Sequence, residues 1–267
     1  LSRSTAQNKK LIRWKGKRLN TRQTDKSVPK LLAISIPKCG THLLQQIVLG
    51  LPCYHRVQWV AQNENIEQKI VSCHPRTITF GHLYYSEQLR KFFDTHHVRR
   101  FFIYRDPRDM VVSFVFYVMT IDQNHHLREY FKTLKTNEVR MLKLITGFPG
   151  GYRDLYRQFY LPFLGWLKDS HTFALKYEDL VQNETTREHQ INRMVDYLWP
   201  DLEHLGLTKV TVVEGMEKNI QPAKSPTFRK GTTGDWKAYF TDEHKEVFKK
   251  VAGQLLIDLG YEKDFNW

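Results

Sequence analysis

Lys38 stands at the bend of residues 31–44, "LLAISIPKCGTHLL", between one apolar stretch and another. A lysine so placed is suited to holding an anion. Leu31, Leu32, Ala33, Ile34 and Ile36 form a short apolar run of β-type residues, the pattern of a strand buried on both faces. Leu43, Leu44, Ile47 and Val48 then recur at helical spacing, and Gly50 with Pro52 closes the helix. The segment therefore predicts strand, tight loop and helix. Gly40 lets the backbone approach a ligand, Thr41 offers a hydroxyl at the helix start, and the first helical N–H groups are free to hold an anion. Read alone, the stretch also fits an ordinary strand-to-helix turn with a solvated lysine.

A second strand end repeats the theme. In "FFIYRDPRDMVVSFVFYV" a strand ends at Tyr104, and Asp106 and Pro107 open a helix, with Asp106 as the cap and proline in the favoured first turn. Arg105 is then placed for a bidentate phosphate contact, and Ser113, two turns into the helix, can offer its hydroxyl to the same anion. The competing reading is an ion pair of Arg105 or Arg108 with Asp109. Farther on, Arg229, Lys230 and Gly231 make a third basic element, two cations and a glycine fit to clamp an anion. Three such elements suit a ligand with two separate phosphate groups.

The elements that must position these residues alternate. Apolar stretches at 77–80, 99–104 ("RRFFIY") and 171–177 ("HTFALKY") predict strands, with helical patterns over 107–119, 137–145, 152–167 and 188–198. Strands alternating with helices predict an α/β fold, a central parallel sheet flanked by helices, with ligands gathered beyond the strands' carboxyl ends. The last helix is the clearest: Thr241 caps it, Asp242 and Glu243 suit its positive end, and Val247, Phe248, Val251, Leu255, Leu256 and Leu259 share a face before Gly260. Residues 1–28 are polar and basic and read as a partly ordered arm, leaving 29–267 as one domain.

Composition narrows the partner. The 267 residues carry 41 Lys and Arg against 28 Asp and Glu, a net +13, so a negatively charged ligand or surface is expected. Three cysteines without CxxC spacing fit a reducing cytoplasm and no disulfide framework. No stretch reaches the roughly 20 apolar residues of a membrane span. Asn183 opens a formal glycosylation sequon that carries no meaning in such a compartment. Twelve histidines suggest metal, yet His96-His97 and His125-His126 are adjacent pairs without an HExxH or a cysteine cluster, so no metal site is expected.

"IPKCGTHLL", "YRDPRDMVVSFVFYV", "KYEDL" and "FRKGTTGDWKAYFT" follow one another in the order and at roughly the separations of the sulfotransferases that use 3′-phosphoadenosine-5′-phosphosulfate (PAPS). The chain resembles that cytosolic-type family from about Leu31 to Tyr261. The resemblance implies that Lys38, Cys39, Gly40, Thr41 and His42 form a P-loop-like 5′-phosphosulfate loop. It implies that Arg105 and Ser113 hold the 3′-phosphate with Arg229, Lys230 and Gly231, that Tyr177 of "KYEDL" approaches the nucleotide, and that His82 in "TFGHLYY" is the catalytic base. Lys38 would stabilise the leaving phosphate, and Ser113 would be a phosphate ligand that also influences Lys38. A hydroxyl or an amine of a small molecule would be the acceptor, and no metal is needed where lysine, arginine and amides supply the positive charge.

The chain departs from the family at several positions. Cys39, His42 and Leu43 stand where Ser, Thr and Trp are usual, and the last removes an aromatic plate from the adenine. In "TVVEGM" Thr211 is kept near adenine while Val213 replaces an aromatic, and Phe80 replaces a lysine two residues before His82. The family's dimer motif appears as "KAYFTDEHKE" with Asp242 in place of its valine, which puts that homodimer contact in doubt. Trp59, Tyr84, Tyr85, Phe114, Phe116 and Tyr117 are candidates to line an acceptor pocket, or else core. A P-loop kinase or NTPase is a rival, but Lys38 precedes Gly40 and no Walker A pattern is present. A basic polyanion-binding module is another; outside "IRWKGKR" the charge is spread out, so nucleic acid is not expected as the main partner.

Overall fold

The structure is a computed structural model. It describes residues 28–225 and 229–267, so the expected basic arm lies, apart from Val28, outside the described residues. Five strands form one sheet: β1 (Lys30–Ser35), β2 (Arg56–Trp59), β3 (Thr77–Gly81), β4 (Val98–Tyr104) and β5 (Thr172–Lys176). Their order is β2-β3-β1-β4-β5, and every pairing is parallel. The α/β expectation holds. Eleven α-helices accompany the sheet among the described residues: α1 (Thr41–Leu49), α2 (Ile66–Ser72), α3 (Glu87–Thr95), α4 (Pro107–Phe116), α5 (Arg128–Thr133), α6 (Asn137–Thr146), α7 (Gly165–Lys168), α8 (Tyr177–Val181), α9 (Glu184–Leu202), α10 (Lys209–Lys218) and α11 (Asp242–Asp258).

Central β1 shows why its sequence is apolar throughout. Leu31 and Ala33 turn to one face, where they join Phe101, Ile103 and Leu175 and the buried residues of α1, α9 and α10. Leu32 and Ile34 turn to the other, among Phe102, Met110, Trp166 and Phe248. A strand covered on both sides needs this continuous run rather than alternation. β1 also holds the switch in topology: the chain leaves it toward β2 and leaves its neighbour β4 toward β5, so the two following loops part and open a crevice at the carboxyl ends.

Three elements differ from expectation. β2 was not expected as a strand; it is an edge strand with Arg56, Val57 and Trp59 exposed, and so lacks the apolar run that marks the central strands. The helix expected over 152–167 is instead a π-helical turn at Tyr156–Tyr160, a 3₁₀ turn at Leu161–Phe163 and the short α7. Pro162 lacks the N–H that a continuous helix needs there. Similarly α4 ends at Phe116, short of Met119, and passes into a π-helical turn at Tyr117–Ile121.

Helices α1 and α10 meet backbone to backbone through glycines. A Cβ on Gly50 would fall 2.3 Å from the Gly215 carbonyl oxygen and 2.4 Å from Met216 Cα. Gly50→Ala must push these helices apart and is expected to cost about 1–3 kcal/mol. A lowered urea midpoint at unchanged slope measures it; an unchanged midpoint would show that the contact gives way freely.

Candidate active site

The loops after β1, β3 and β4 converge on one cavity of about 780 Å³, which contains Lys38, Gly40, Thr41 and His42 from the first, His82 from the second and Arg105 from the third. α4 adds Ser113, and Tyr177 and the segment Arg229, Lys230, Gly231 complete the set. Eleven of the twelve distinct residue positions implied for catalysis and donor binding other than Thr211 therefore share one cavity. The twelfth, Cys39, is fully buried.

The loop after β1 is built by backbone geometry. Lys38 and Gly40 take left-handed φ angles of 64° and 102°, and a Cβ on Gly40 would come 2.6 Å from the Tyr177 ring. Only glycine fits. The first intrahelical bond of α1 runs from the Leu44 N–H to the Gly40 carbonyl at 2.9 Å, so the N–H groups of Thr41, His42 and Leu43 have no intrahelical acceptor. Cys39 serves the loop from behind: its thiol lies 3.7 Å from the Tyr160 hydroxyl, which donates to the Arg105 carbonyl at 3.0 Å. Burial pushes that thiol up to about 12, so it stays protonated. Its N–H donates to the Ile36 carbonyl, so the contribution of Cys39 is to tie the β1 loop to the β4 loop.

His82, at the end of β3, is held by β1. Its Nδ1 lies 2.7 Å from the Ser35 carbonyl oxygen and 3.2 Å from the Ser35 hydroxyl, which is itself 2.8 Å from the Thr41 hydroxyl. A carbonyl can only accept, so Nδ1 carries the proton and Nε2 of the neutral ring keeps its lone pair. Burial holds the ring below the usual histidine pKa; the hydrogen bond to Ser35 opposes it, and the His42 and Lys38 charges add to the lowering. Trp59, at the end of neighbouring β2, sets its ring edge to face with His82 at 5.1 Å.

Positive charge dominates the cavity. Among its described lining residues are Lys38, Arg105, Arg187, Arg229 and Lys230 and no aspartate or glutamate. The acids stand behind: Asp109 lies 3.4 Å from Arg105, Asp235 pairs with Arg229 and Lys230, and Glu217 lies 3.2 Å from Arg187. The ion pair between Arg105 and Asp109 thus forms, but buried, and it leaves Arg105 Nε without a partner. A buried guanidinium N–H in a cationic wall is the feature an incoming phosphate satisfies, so the residues fit an anionic donor such as PAPS. Lys38 is lowered to about 8 by burial and by Arg105 and Arg229, and its ammonium rests 3.8 Å over the Tyr117 ring.

Other expected residues fall elsewhere. Thr211 sits exposed on the first turn of α10, bonded to Thr208, and Val213 is in the core; neither lines the cavity. Leu43 does line it. Of the aromatic candidates, Phe114 and Tyr117 line the cavity, and Trp59 and Tyr84 line an adjoining cleft of about 250 Å³ that His82 shares. Tyr85 packs on Trp166 and Phe116 on Tyr239, away from both. Sequence reading missed Ser35, Asp235 and the place of the imidazole pair His125 and His126 in the wall; the stacked pair, at 4.4 Å, is signalled only by its adjacency in the chain.

A profile of the sulfotransferase domain matches residues 28–260. The chain belongs to the sulfotransferase family. Among curated relatives of this sulfotransferase, mouse sulfotransferase 2A2 is 25% identical over 252 residues, covering 83% of this chain and 82% of the relative. Human sulfotransferase 2A1 is 24% identical over 276 residues, covering 89% and 87%. The crystal structure of mouse sulfotransferase SULT7A1 complexed with PAP, the 3′,5′-bisphosphate left when PAPS gives up its sulfonate, superposes with a TM-score of 0.59 at 17% identity, covering 87% of each chain. At that identity the structural likeness speaks for the fold, while the match across the domain carries the class of enzyme, a transferase of sulfonate groups. No helix among the described residues is long and apolar enough to cross a membrane, and no group of described residues could hold a metal ion.

Arg105→Ala removes a buried charged donor from the cavity wall. It is expected to weaken PAP binding about 10- to 100-fold, the value of one to two hydrogen bonds to a charged group. Calorimetric titration with and without EDTA reads it: the loss should be the same in both, and undiminished affinity would remove Arg105 from the phosphate site.

Proposed function

We propose that this sulfotransferase moves the sulfuryl group of PAPS to a hydroxyl of a small-molecule acceptor, with His82 as general base and Lys38 stabilising the phosphate oxygen that leaves. The observation that carries the reading is that one cavity joins a base with an available lone pair to a lysine at the mouth of a phosphate loop. Lys38, the N–H groups at the start of α1 and the Thr41 hydroxyl hold the 5′ phosphosulfate. Arg105, Ser113, Arg229, Lys230 and Gly231 hold the 3′-phosphate, and Tyr177 bounds the nucleotide between them.

In the transfer, His82 Nε2 takes the proton of the acceptor hydroxyl as its oxygen bonds to sulfur. The bond from sulfur to the bridging phosphate oxygen breaks, and Lys38 neutralises the charge that collects there. Little covalent work falls to the protein, as in phosphoryl transfer, so position and charge supply most of the effect. Trp59 and Tyr84, exposed beside His82, offer the acceptor a surface in the adjoining cleft. The free thiols of Cys39, Cys53 and Cys73 favour a reducing compartment, the cytoplasm.

His82→Ala should lower kcat about 10²- to 10⁴-fold while leaving PAP affinity unchanged. Turnover within a few-fold of wild type would remove His82 as base. The pH profile of kcat/KM gives a second check. A base whose pKa is lowered stays neutral to lower pH, so the acid limb should fall below the ordinary histidine value of 6.5. The alkaline limb should fall near 8, where Lys38 loses its charge. In Lys38→Arg the alkaline limb should move above the measurable range, while a limb still near 8 would assign it to another group.

A further inference from the structure

We infer that Arg187 is the plate against which the adenine ring of the nucleotide rests, its guanidinium lying flat on the base while Glu217 holds it by an edge. Given the donor placement proposed above, with the phosphates at the β1 loop and at Arg105, the base falls against the wall made by α1, α8, α9 and the segment after α10. Leu43, Leu180, Val181, Ile220 and Pro222 line that wall together with Arg187. None of the six carries an aromatic ring. A purine has two broad π faces, and of these side chains only the guanidinium is planar, delocalised and weakly enough hydrated to stack on one.

The way Arg187 is held suits it to that contact. Its Nε donates to Glu217 Oε2 at 3.2 Å, and its Nη2 lies 3.9 Å from Glu184 Oε1. Hydrogen bonds to a guanidinium lie in its plane, so Glu217 takes an edge rather than a face, and Glu184 stays beyond hydrogen-bond distance. The side chain keeps 24% of its accessible surface, and Glu217 balances its charge. Charge on the phosphates is already met by Arg105, Arg229 and Lys230; of the described rings that α1 and α8 bring to the cavity, His42 and Tyr177 stand at the loop after β1, the latter against Gly40 and Arg105, and the apolar side chains beside Arg187 cannot stack. The wall itself is fixed: the Gln46 amide exchanges two hydrogen bonds of 2.9 Å with the backbone of Gln221, and Asn219 Nδ2 donates to the Gln46 carbonyl at 2.6 Å.

Calorimetric titration with two probes tests this: PAP, and methyl riboside 3,5-bisphosphate, which keeps both phosphates and lacks the base. Arg187→Leu should weaken PAP about 5- to 30-fold, the range of a cation on a π face, and leave the base-free probe unchanged. Arg187→Tyr should restore PAP affinity and Arg187→Lys should not. The Glu217 Oε1 atom is already buried without a partner, so losing Arg187 strands that carboxylate; the double variant Arg187→Leu with Glu217→Gln relieves it and should show the same selective loss. PAP affinity within twofold of wild type in both variants would overturn the inference. So would an equal loss for both probes that lysine repairs, the mark of a phosphate contact. A wild-type protein that binds the base-free probe as tightly as PAP would overturn the adenine plate alone, and one that binds neither would take the donor placement with it.

Discussion

Between Ser35 and Thr41 the chain passes from a buried strand to a helix within five residues, and it manages this by putting Lys38 and Gly40 into left-handed backbone. A non-glycine residue there costs about 1–2 kcal/mol. The cost is offset where the turn is buried: Ile36 and Cys39 are fully enclosed, Ser35 bonds Thr41, and Tyr160 ties Cys39 to the carbonyl of Arg105. Tyr177 closes from the other side, near enough to Gly40 to forbid a Cβ and 4.5 Å from the Arg105 guanidinium. The same tight turn therefore delivers free helix N–H groups, a lysine and a neighbouring arginine to one opening. Loosening any one of these contacts would move all three.

Charge follows a second constraint. A wall of cations in one cavity repels itself, and each arginine is steadied by an acid placed behind it: Asp109 for Arg105, Asp235 for Arg229, Glu217 for Arg187. Asp109 also accepts the N–H groups of Gly234 and Trp236, so the acid that steadies Arg105 anchors the loop that brings Arg229 to the cavity. Burial raises the pKa of that carboxyl, and Arg105 with the Trp236 and Gly234 amides opposes the rise. Lys38 differs, since its ammonium rests on the Tyr117 ring. A ring steadies a cation without neutralising it, so the ammonium is free to leave for a full negative charge. Tyr117 is in turn set by the π-helical turn it begins and by its hydroxyl bond to Asp122 at 3.0 Å.

Sequence pattern disclosed what is local. The run at β1 with the glycine beyond it, the cap at Asp106 with Pro107 and the apolar face of α11 each carry their physics within a few neighbouring residues. The edge strand β2 escaped because exposure frees its residue types, and the broken segment before α7 escaped because apolar spacing can persist across a proline. At the site, motif residues were legible and their supports were not. Ser35 acts on His82 through a backbone carbonyl that any residue type would supply. Asp235 reads like the acid of any loop until its partners arrive, whereas Asp109, four residues after Arg105, could be read as its partner but not as an anchor for the distant Gly234 and Trp236 amides. Thr211 shows the converse failure, a residue type kept in a motif while the fold turns it to solvent.

His82 shows how fold and chemistry meet in one hydrogen bond. β1 and β3 pair in parallel, with Ile34 opposite Gly81, so Ser35 and His82 are the next residues on adjacent strands and meet at the sheet's end by register alone. That register puts the Ser35 carbonyl on Nδ1 and leaves Nε2 with its lone pair. The same residue reaches Thr41 through its hydroxyl, so the imidazole and the phosphate loop hang from one residue of the central strand. An imidazole referenced in this way to the loop after β1 needs no further device to hold its place beside it, and a slip of one residue in the pairing of β1 with β3 would part His82 from that loop.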